Sequence, residues 1–193
     1  MIKVRACFFV ITATFFLLAA CSAPSTRTRQ VNGPSTSAPP RYESRSKQTV
    51  PASTFTGRVV NVPDGDTIVV LADDNRTHEI RLQGIDAPEG GQAFGDRSRQ
   101  NLSDVIAEEE VTVTWYKRDR YKRLVGEVSI NGTDLCLEQI KAGMAWHYKH
   151  YQSEQTPKDR TLYAEAEVAA RVSRHGLWAD ASPIPPWNFR NGR

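Results

Sequence analysis

Alternation of apolar and polar positions predicts three β-strands at the start of the region that folds. The segments 55–62 (FTGRVVNV) and 66–72 (DTIVVLA) flank Pro63-Asp64-Gly65, which is typical of a tight turn, so we expect them to form a hairpin. The segment 77–85 (THEIRLQGI) alternates in the same way and predicts a third strand. The fold therefore begins near Phe55 with an antiparallel meander.

Apolar positions spaced by three and four predict an amphipathic helix over 94–109 (FGDRSRQNLSDVIAEE). Its apolar face comprises Phe94, Leu102, Val105 and Ile106. Two further strands, 111–117 and 123–130, follow on either side of a basic connection, and Asn131-Gly132 is a turn sequence. The chain thus supplies five strands with one helix inserted between the third and the fourth.

Two later helices are predicted from the residues at their ends. The segment 134–142 (DLCLEQIKA) is a short helix with Gly143 as its C-terminal glycine. The last helix begins with Thr156 as N-cap and Pro157 at its first position, and it ends before Gly176. These ends are well marked, so we expect the helices at these places.

Five strands and about three packed helices indicate a domain of the α+β class. The pattern alone allows either a small five-stranded β-barrel or an open antiparallel sheet. A closed barrel leaves no edge strand free to pair with another chain, so we favour the barrel.

The first 20 residues have the pattern of an export signal. The basic start MIKVR precedes 15 mostly apolar residues, fewer than the ~20 that a membrane-spanning helix needs. The junction Leu18-Ala19-Ala20-Cys21 resembles the lipobox of bacterial lipoproteins, in which the cysteine is lipidated. We expect residues 1–20 to be a lipoprotein signal peptide and Cys21 to anchor the exported protein to a membrane, on its periplasmic or extracellular face. The alternative is an ordinary signal cleaved near Ala20.

Residues 21–53 are rich in Ser, Thr and Pro and carry almost no large apolar side chains, which predicts a disordered linker. We expect a folded domain at 54–180 and a C-terminal tail at 181–193. Seven of the 25 Lys and Arg residues, but only one of the 22 acids, lie in residues 1–50. The folded region is therefore slightly acidic, and its overall charge does not indicate a nucleic-acid binder.

Charged residues that could carry chemistry lie at the ends of the predicted strands. A turn at Asp64-Gly65 needs one acid, so Asp66 is either a surplus charge or a ligand. Taken singly, each charged cluster has an ordinary explanation as a turn, a helix N-terminus or a solvated loop. Together their order and spacing match a known protein family, and their types suit a cation and a phosphate, because carboxylates bind hard cations and arginines bind phosphate. The residues concerned are Asp66, Arg81, Asp86, Glu89 and Arg123.

The sequence resembles the thermonuclease family, the staphylococcal-nuclease-like proteins, in five motifs that occur in the same order. The motifs are DGDT (64–67), RLQGIDAPE (81–89), DRYKR (119–123), GMAW (143–146) and GLW (176–178). The resemblance implies a five-stranded OB-fold β-barrel with helices packed on it. It also implies calcium-dependent hydrolysis of phosphodiester bonds in DNA and RNA.

The resemblance implies a calcium site made by the carboxylates of Asp66 and Asp86 and the backbone carbonyl of Ala87. Alanine stands at 87 where threonine is familiar in the family. Because the implied contact is made by the backbone, we expect the site to tolerate this change. Carboxylate and carbonyl oxygens suit Ca²⁺, although another divalent ion could use the same ligands.

The resemblance implies catalytic roles for Glu89, Arg81 and Arg123. Glu89 corresponds to the residue that activates or positions the attacking water, and the two arginines correspond to the pair that binds the phosphate. Lys122 stands where glycine is familiar, so the loop that carries Arg123 is expected to differ in shape.

Nucleic-acid binding outside the reacting phosphate is predicted for a basic cluster and for two tyrosines. The cluster comprises Lys117, Arg118, Arg120 and Lys122, which suit phosphate contacts that do not select sequence. Tyr148 and Tyr151 are expected to line the nucleotide site.

These observations favour a monomeric, lipid-anchored endonuclease that acts on DNA and RNA with little sequence specificity. One alternative is a non-catalytic OB module of the cell envelope that binds single-stranded nucleic acid. A second is a structural envelope lipoprotein. A zinc site at His147 and His150 is excluded, because a strand would direct two residues three apart to opposite faces.

Overall fold

The structure, a computed structural model, describes residues 52–192. The predicted signal peptide, the lipidation site at Cys21 and nearly all of the predicted linker lie outside the described residues. Across 52–192, the helices are all too short or too polar to cross a membrane.

Strands and short helices alternate along this region. The strands are β1 Ser53–Asp64, β2 Thr67–Ala72, β3 Thr77–Leu82, β4 Ile85–Asp86, β5 Glu110–Arg118, β6 Leu124–Ile130, β7 Thr133–Asp134 and β8 Trp146–His147. The α-helices are α1 Gly95–Ile106, α2 Leu135–Lys141, α3 Pro157–Val172 and α4 Pro186–Phe189. Two 3₁₀ segments, Lys149–Glu154 and Gly176–Ala179, connect the later elements.

Five strands close into a barrel in the order β3-β2-β1-β5-β6. The closing contact is a parallel pairing of β3 with β6, in which Ile80 lies opposite Leu124 and Leu82 opposite Gly126. The α+β barrel prediction is confirmed, and the open antiparallel sheet is excluded. The interior of the barrel is filled by β-branched and leucine side chains with almost no exposure, among them Val59, Ile68, Val70, Ile80, Leu82, Val113, Leu124 and Val128.

The turn between β1 and β2 is fixed by one acid and one glycine. The Asp64 Oδ1 atom accepts a hydrogen bond from the Asp66 N–H at 2.9 Å, as in other turns that an aspartate stabilises. Gly65 is required for space, because a Cβ there would lie 1.8 Å from the Ser98 Oγ atom and 2.9 Å from the Ala87 Cβ atom. The turn therefore places Asp66 at the mouth of β2, next to α1.

The buried face of α1 differs from the predicted one at Val105 and at Phe94, which lies outside the helix as its N-cap. Leu102 and Ile106 are buried as expected, but Val105 is 49% exposed, so its assignment to the apolar face was wrong. Ser98, one turn before Leu102, is buried on this face, and its hydroxyl donates to the Met144 carbonyl at 2.7 Å. A polar residue with a backbone partner fits this face, and the apolar pattern alone does not reveal it.

The ends of the later helices agree with the sequence. The Thr156 side chain accepts a hydrogen bond from the Asp159 N–H at 3.2 Å, as an N-cap does. Gly143 follows α2 with φ +66°, and a Cβ there would lie 2.3 Å from the His175 carbonyl oxygen. Glycine is therefore needed after α2 both for its conformation and for a close approach to the chain after α3.

A second, smaller apolar cluster fixes the end of the chain. Trp146, Trp178 and Leu177 are buried there, and Trp187 packs its ring edge-on to Trp146 with the ring centroids 5.5 Å apart. Trp187 belongs to α4, in the segment 181–193 that the sequence analysis assigned to a tail. This packing brings the residues after α4 back to the end of the barrel.

Candidate active site

A cleft of about 620 Å³ opens at the end of the barrel where β1 and β3 finish and β5 passes to β6. It is lined by all the residues predicted for the metal site and for catalysis: Asp66, Arg81, Asp86, Ala87, Glu89 and Arg123. The barrel therefore brings together residues from separate strand ends and loops.

Arg81 is held inside the protein between two carboxylates. Its Nη2 atom lies 2.9 Å from Asp66 Oδ2 and 2.8 Å from Asp86 Oδ1. Its Nη1 atom donates to the carbonyls of Leu82 and Ile85 at 2.9 and 3.0 Å. The Arg81 side chain is only 15% exposed, so it presents little surface to the cleft. Its main contacts are with the two acids, which it holds in place.

Asp66 and Asp86 are buried carboxylates that face the same guanidinium. Burial raises the pKa of Asp66 to about 7; the positive charge of Arg81 opposes this shift, while Asp64 and Asp86 add to it. The Ala87 N–H donates to Asp66 Oδ2 at 2.7 Å. The three residues predicted as metal ligands are thus in direct or near contact, and their negative charge is only partly compensated.

The orientation of the Arg123 side chain is fixed by the carboxylate of Asp119, in the same loop. Asp119 accepts hydrogen bonds from the Arg123 Nε and backbone N–H at 2.8 and 3.0 Å, and the Arg123 Nη1 atom lies 3.4 Å from the Thr67 hydroxyl. Burial alone would raise the pKa of Asp119, but the contacts with Arg123 lower it. Lys122 has φ +70°, a conformation that glycine adopts more easily, so the loop keeps a left-handed residue here despite the lysine.

Comparison with known proteins agrees with this cleft. Residues 79–180, more than half of the chain, match the family described as staphylococcal nuclease homologue. The chain belongs to this family. It is 42% identical over 151 residues to the micrococcal nuclease of Shigella flexneri, covering 73% of this chain and 84% of that protein.

Two other relatives of the nuclease family are named as uncharacterized endonucleases. That of Haemophilus influenzae is 39% identical over 135 residues, which cover 70% of this chain and 72% of that protein. That of Escherichia coli O157:H7 is 42% identical over 136 residues, which cover 70% and 84%. These alignments span most of each relative, so the similarity concerns whole domains.

Glu89, which the family resemblance implies for handling water, is bound by a residue that the sequence analysis missed. Arg190 follows α4 and pairs with the Glu89 carboxylate. It also binds both oxygens of Asp86, with Nη2–Oδ2 at 2.8 Å and Nη1–Oδ1 at 3.2 Å. Arg190 lies beyond the last family motif, so no motif points to it. The sequence signal that could have been used is Pro186, a typical helix start, followed by Trp187 and Phe189 within the supposed tail.

The predicted basic cluster divides in the structure. Lys117, Arg118 and Arg120 line the cleft, whereas Lys122 is exposed and is not among the lining residues. Arg120 stacks over the ring of Tyr121 at 4.7 Å, and Arg123 lies 5.4 Å from the same ring. Tyr121, 64% exposed, was not singled out from the sequence, although it lies between two predicted functional residues.

The two predicted tyrosines lie together in the cleft. The rings of Tyr148 and Tyr151 are 5.3 Å apart and nearly perpendicular, and Tyr148 stacks on Trp187 at 5.4 Å. Lys117 lies 5.0 Å from the Tyr151 ring and 2.6 Å from the Glu154 carboxylate. The cleft therefore offers both positive charge and aromatic surface.

The residues present fit a hard divalent cation of the kind that the family resemblance implies. The donors are carboxylate oxygens without histidine or cysteine. Burial, with a smaller contribution from Asp64 and Asp86, raises the pKa of Asp66, and a bound cation would favour its ionised form. Residues 52–192 do not, however, gather three acidic, histidine or cysteine side chains into a complete metal site. A cation held by Asp66 and Asp86 would thus need further oxygens from the backbone, water or a substrate phosphate.

Proposed function

We propose that this protein is a calcium-dependent endonuclease that hydrolyses phosphodiester bonds in DNA and RNA with little sequence specificity. Membership of the nuclease family supports the reaction class, a hydrolase that acts on nucleic acid. The observation that carries the proposal is a single cleft lined by Asp66, Asp86, Glu89 and two arginines.

Asp66 and Asp86, with the carbonyl of Ala87, would hold the cation. When bound, a divalent cation supplies positive charge that stabilises the negative charge developing on the phosphate oxygens. The role of the protein is to keep the two carboxylates close together although they repel each other. Arg81 does this from within the barrel, with its Nη2 atom less than 3 Å from both.

Arg123 is the guanidinium best placed to bind the scissile phosphate. It is 22% exposed, and Asp119 engages its Nε atom, which leaves the Nη atoms directed towards Thr67 and the cleft. A guanidinium offers two parallel donors to a phosphate and stays protonated throughout the reaction. Arg81 would add positive charge from one side while most of its donors remain bound to the protein.

Glu89 would position the attacking water or accept its proton. Its side chain is 37% exposed in the same cleft, so a water molecule can reach it. A carboxylate can act as a general base once it is free to accept a hydrogen bond from that water. Such a role requires Glu89 to release Arg190.

Low sequence specificity follows from the kinds of side chain around the cleft. Lys117, Arg118 and Arg120 suit the phosphate backbone, which is the same for every sequence. Tyr121 and Tyr151 are exposed aromatic rings on which any base can stack. Such contacts supply affinity without reading base edges.

The purified protein tests the reaction directly. We expect cleavage of single-stranded DNA, duplex DNA and RNA with Ca²⁺, and loss of cleavage on chelation. Glu89→Gln and Arg123→Ala should each lose most activity, whereas Arg76→Gln, which removes an exposed charge at the β2–β3 turn, should not. Cleavage that survives chelation would contradict the cation requirement. Binding without cleavage in every buffer would instead favour the non-catalytic module.

The proposed membrane attachment rests on the N-terminal sequence alone. We expect the exported protein to incorporate labelled fatty acid and to sediment with membranes. Cys21→Ser should abolish both, with Cys136→Ser as the matched control because that cysteine is buried in the barrel domain. Labelling that persists in Cys21→Ser would disprove the lipid anchor.

A further inference from the structure

We propose that Arg190 is an internal cation that occupies the acidic centre until a divalent ion displaces it. Arg190 docking and divalent-cation binding would then compete for the same carboxylate, Asp86. This inference rests on the proposed cation site and adds a residue that regulates it. Arg190 lies outside residues 79–180, the part of the chain that matches the nuclease family.

The contacts of Asp86 are the first reason to expect competition between Arg190 and a divalent ion. Its carboxylate is fully buried, and both oxygens already accept from guanidinium groups: Oδ1 from Arg81 and Arg190, and Oδ2 from Arg190. Arg190 also pairs with Glu89, so one side chain binds both the predicted metal ligand and the predicted water-handling residue. A cation that binds Asp86 on this side must displace Arg190 or accept a neighbouring positive charge.

The different exposure of Arg81 and Arg190 is the second reason to expect that Arg190 is the one displaced. Arg81 is 15% exposed, comes from a central barrel strand and donates to two backbone carbonyls. Arg190 is 42% exposed and comes from the end of the described chain, where the preceding helix has only four residues. Of the two guanidiniums on Asp86, Arg190 is therefore the one that can leave without opening the barrel.

The attachment of α4 explains how the arginine stays nearby. Trp187 packs on Trp146 and Tyr148, with ring centroids 5.5 and 5.4 Å apart, and the Gln92 side chain donates to the Ile184 carbonyl at 2.6 Å. The helix is thus held by contacts that do not involve the acids. A change in the Arg190 side chain alone suffices to free Asp86 and Glu89, after which the guanidinium remains at the edge of the cleft.

Competition of this kind has a measurable consequence. If Arg190 is docked in most molecules, the apparent cation affinity of the wild type equals the intrinsic affinity multiplied by the fraction of molecules in which Arg190 is undocked. Removing the guanidinium should then increase cation affinity. A purely structural arginine would give the opposite result, because its loss would loosen the carboxylates that hold the cation.

Titration calorimetry with Ca²⁺ alone, in the absence of nucleic acid, tests this. We expect Arg190→Gln to bind Ca²⁺ about tenfold or more tightly than wild type, which corresponds to at least about 90% docking. Arg190→Lys should fall between the two, since an ammonium cannot bind both Asp86 oxygens in parallel. Arg76→Gln removes the same charge at the far end of the β2–β3 ladder and should match wild type.

Thermal unfolding gives a second readout. Without Ca²⁺, Arg190→Gln should melt below wild type, because Asp86 and Glu89 lose a partner. With saturating Ca²⁺ the difference should shrink, because Arg190 is then displaced in the wild type as well.

Two results would overturn the inference, and they are distinguishable. Equal or weaker Ca²⁺ binding by Arg190→Gln would eliminate the competition while leaving the proposed cation site intact. Failure of wild type and all three variants to bind Ca²⁺ would remove the cation site and the competition with it.

Discussion

The cleft is bordered by two charged regions that are built in opposite ways. The buried centre, Asp66, Arg81 and Asp86, lies within the barrel, where one guanidinium nitrogen of Arg81 lies 2.8–2.9 Å from both carboxylates. The basic loop, residues 117–123, lies on the surface, where Arg120 and Arg123 lie over the ring of Tyr121. In the first region each charge is fixed by other charges, and in the second by aromatic rings and by the carboxylates of Asp119 and Glu154.

This difference separates stability from activity. A charge removed from the buried centre leaves another charge buried without a partner, which destabilises the fold strongly. A charge removed from the basic loop leaves a partner that is exposed, as Glu154 is in part, or that keeps backbone hydrogen bonds, as Asp119 does, so it should cost less stability. Both regions line the same cleft, so changes in either should lower the rate of the reaction. Only changes in the buried centre should also lower the stability of the fold strongly.

The sharpest test of the comparison is Arg81→Ala. We expect the free energy of unfolding to fall by about 3–5 kcal/mol, because the buried carboxylate of Asp66 loses its guanidinium partner, whereas Asp86 keeps Arg190. Activity should fall as well. Urea unfolding measures the first effect, with Arg58→Ala as control: that arginine is 53% exposed on β1 and pairs with the exposed Glu108, so its loss should cost under about 1 kcal/mol. Similar losses for the two variants would show that the buried centre has no special role in stability.

The converse variant is Arg123→Ala in the basic loop. We expect kcat to fall by about 10²–10³-fold, as when one preorganised donor to a transition state is removed. The free energy of unfolding should fall by less than in Arg81→Ala, since Asp119 keeps its hydrogen bonds from the backbone N–H groups of Tyr121 and Arg123. Single-turnover kinetics and urea unfolding measure the two effects on one sample. If stability falls as far as in Arg81→Ala, the two regions do not differ as described.

The parts of the molecule that could be predicted from sequence are those fixed by local rules. Strands, turns and caps follow from alternation and from residues such as Gly143 and Thr156, whose roles depend on their immediate neighbours. Closure of the barrel did not follow from the pattern. It depends on the pairing of β3 with β6, more than 40 residues apart in sequence. Only the general disadvantage of free edge strands and the family resemblance favoured it over an open sheet.

The parts that could not be predicted depend on packing at a distance. Val105 fits the apolar pattern of its helix, but the helix presents Ser98 to the barrel instead. Arg190 reaches Asp86 across 104 residues of sequence, through a helix of four residues. The five charged residues of the site were found because the family resemblance implies roles for them. Their partner Arg190 lies outside every motif, and Asp119 lies in the motif DRYKR but has no implied role.

A substitution beside the buried centre tests whether packing as well as charge fixes it. In Gly65→Ala the new Cβ would meet Ser98 and Ala87, so either α1 or the turn that carries Asp66 must shift. We expect a loss of about 1–3 kcal/mol in the free energy of unfolding, together with weaker cation binding. Gly90→Ala is the matched control, because no atom lies within 4 Å of its added Cβ. Equal stability of the two variants would contradict the packing given for the turn.

The smallest expected effect lies in the basic loop, in Arg120→Ala. Arg120 is exposed and lines the cleft, so it should contribute one phosphate contact to affinity and nothing to folding. We expect the slope of log K against log salt for DNA binding to fall by about 0.7–0.9, equally for unrelated sequences. Fluorescence anisotropy in the presence of chelator measures binding without cleavage, with Arg76→Ala as the control of equal charge. An unchanged slope would place the phosphate path away from Arg120. A loss that depends on sequence would mean that this arginine contacts bases, which the low specificity proposed for the cleft does not allow.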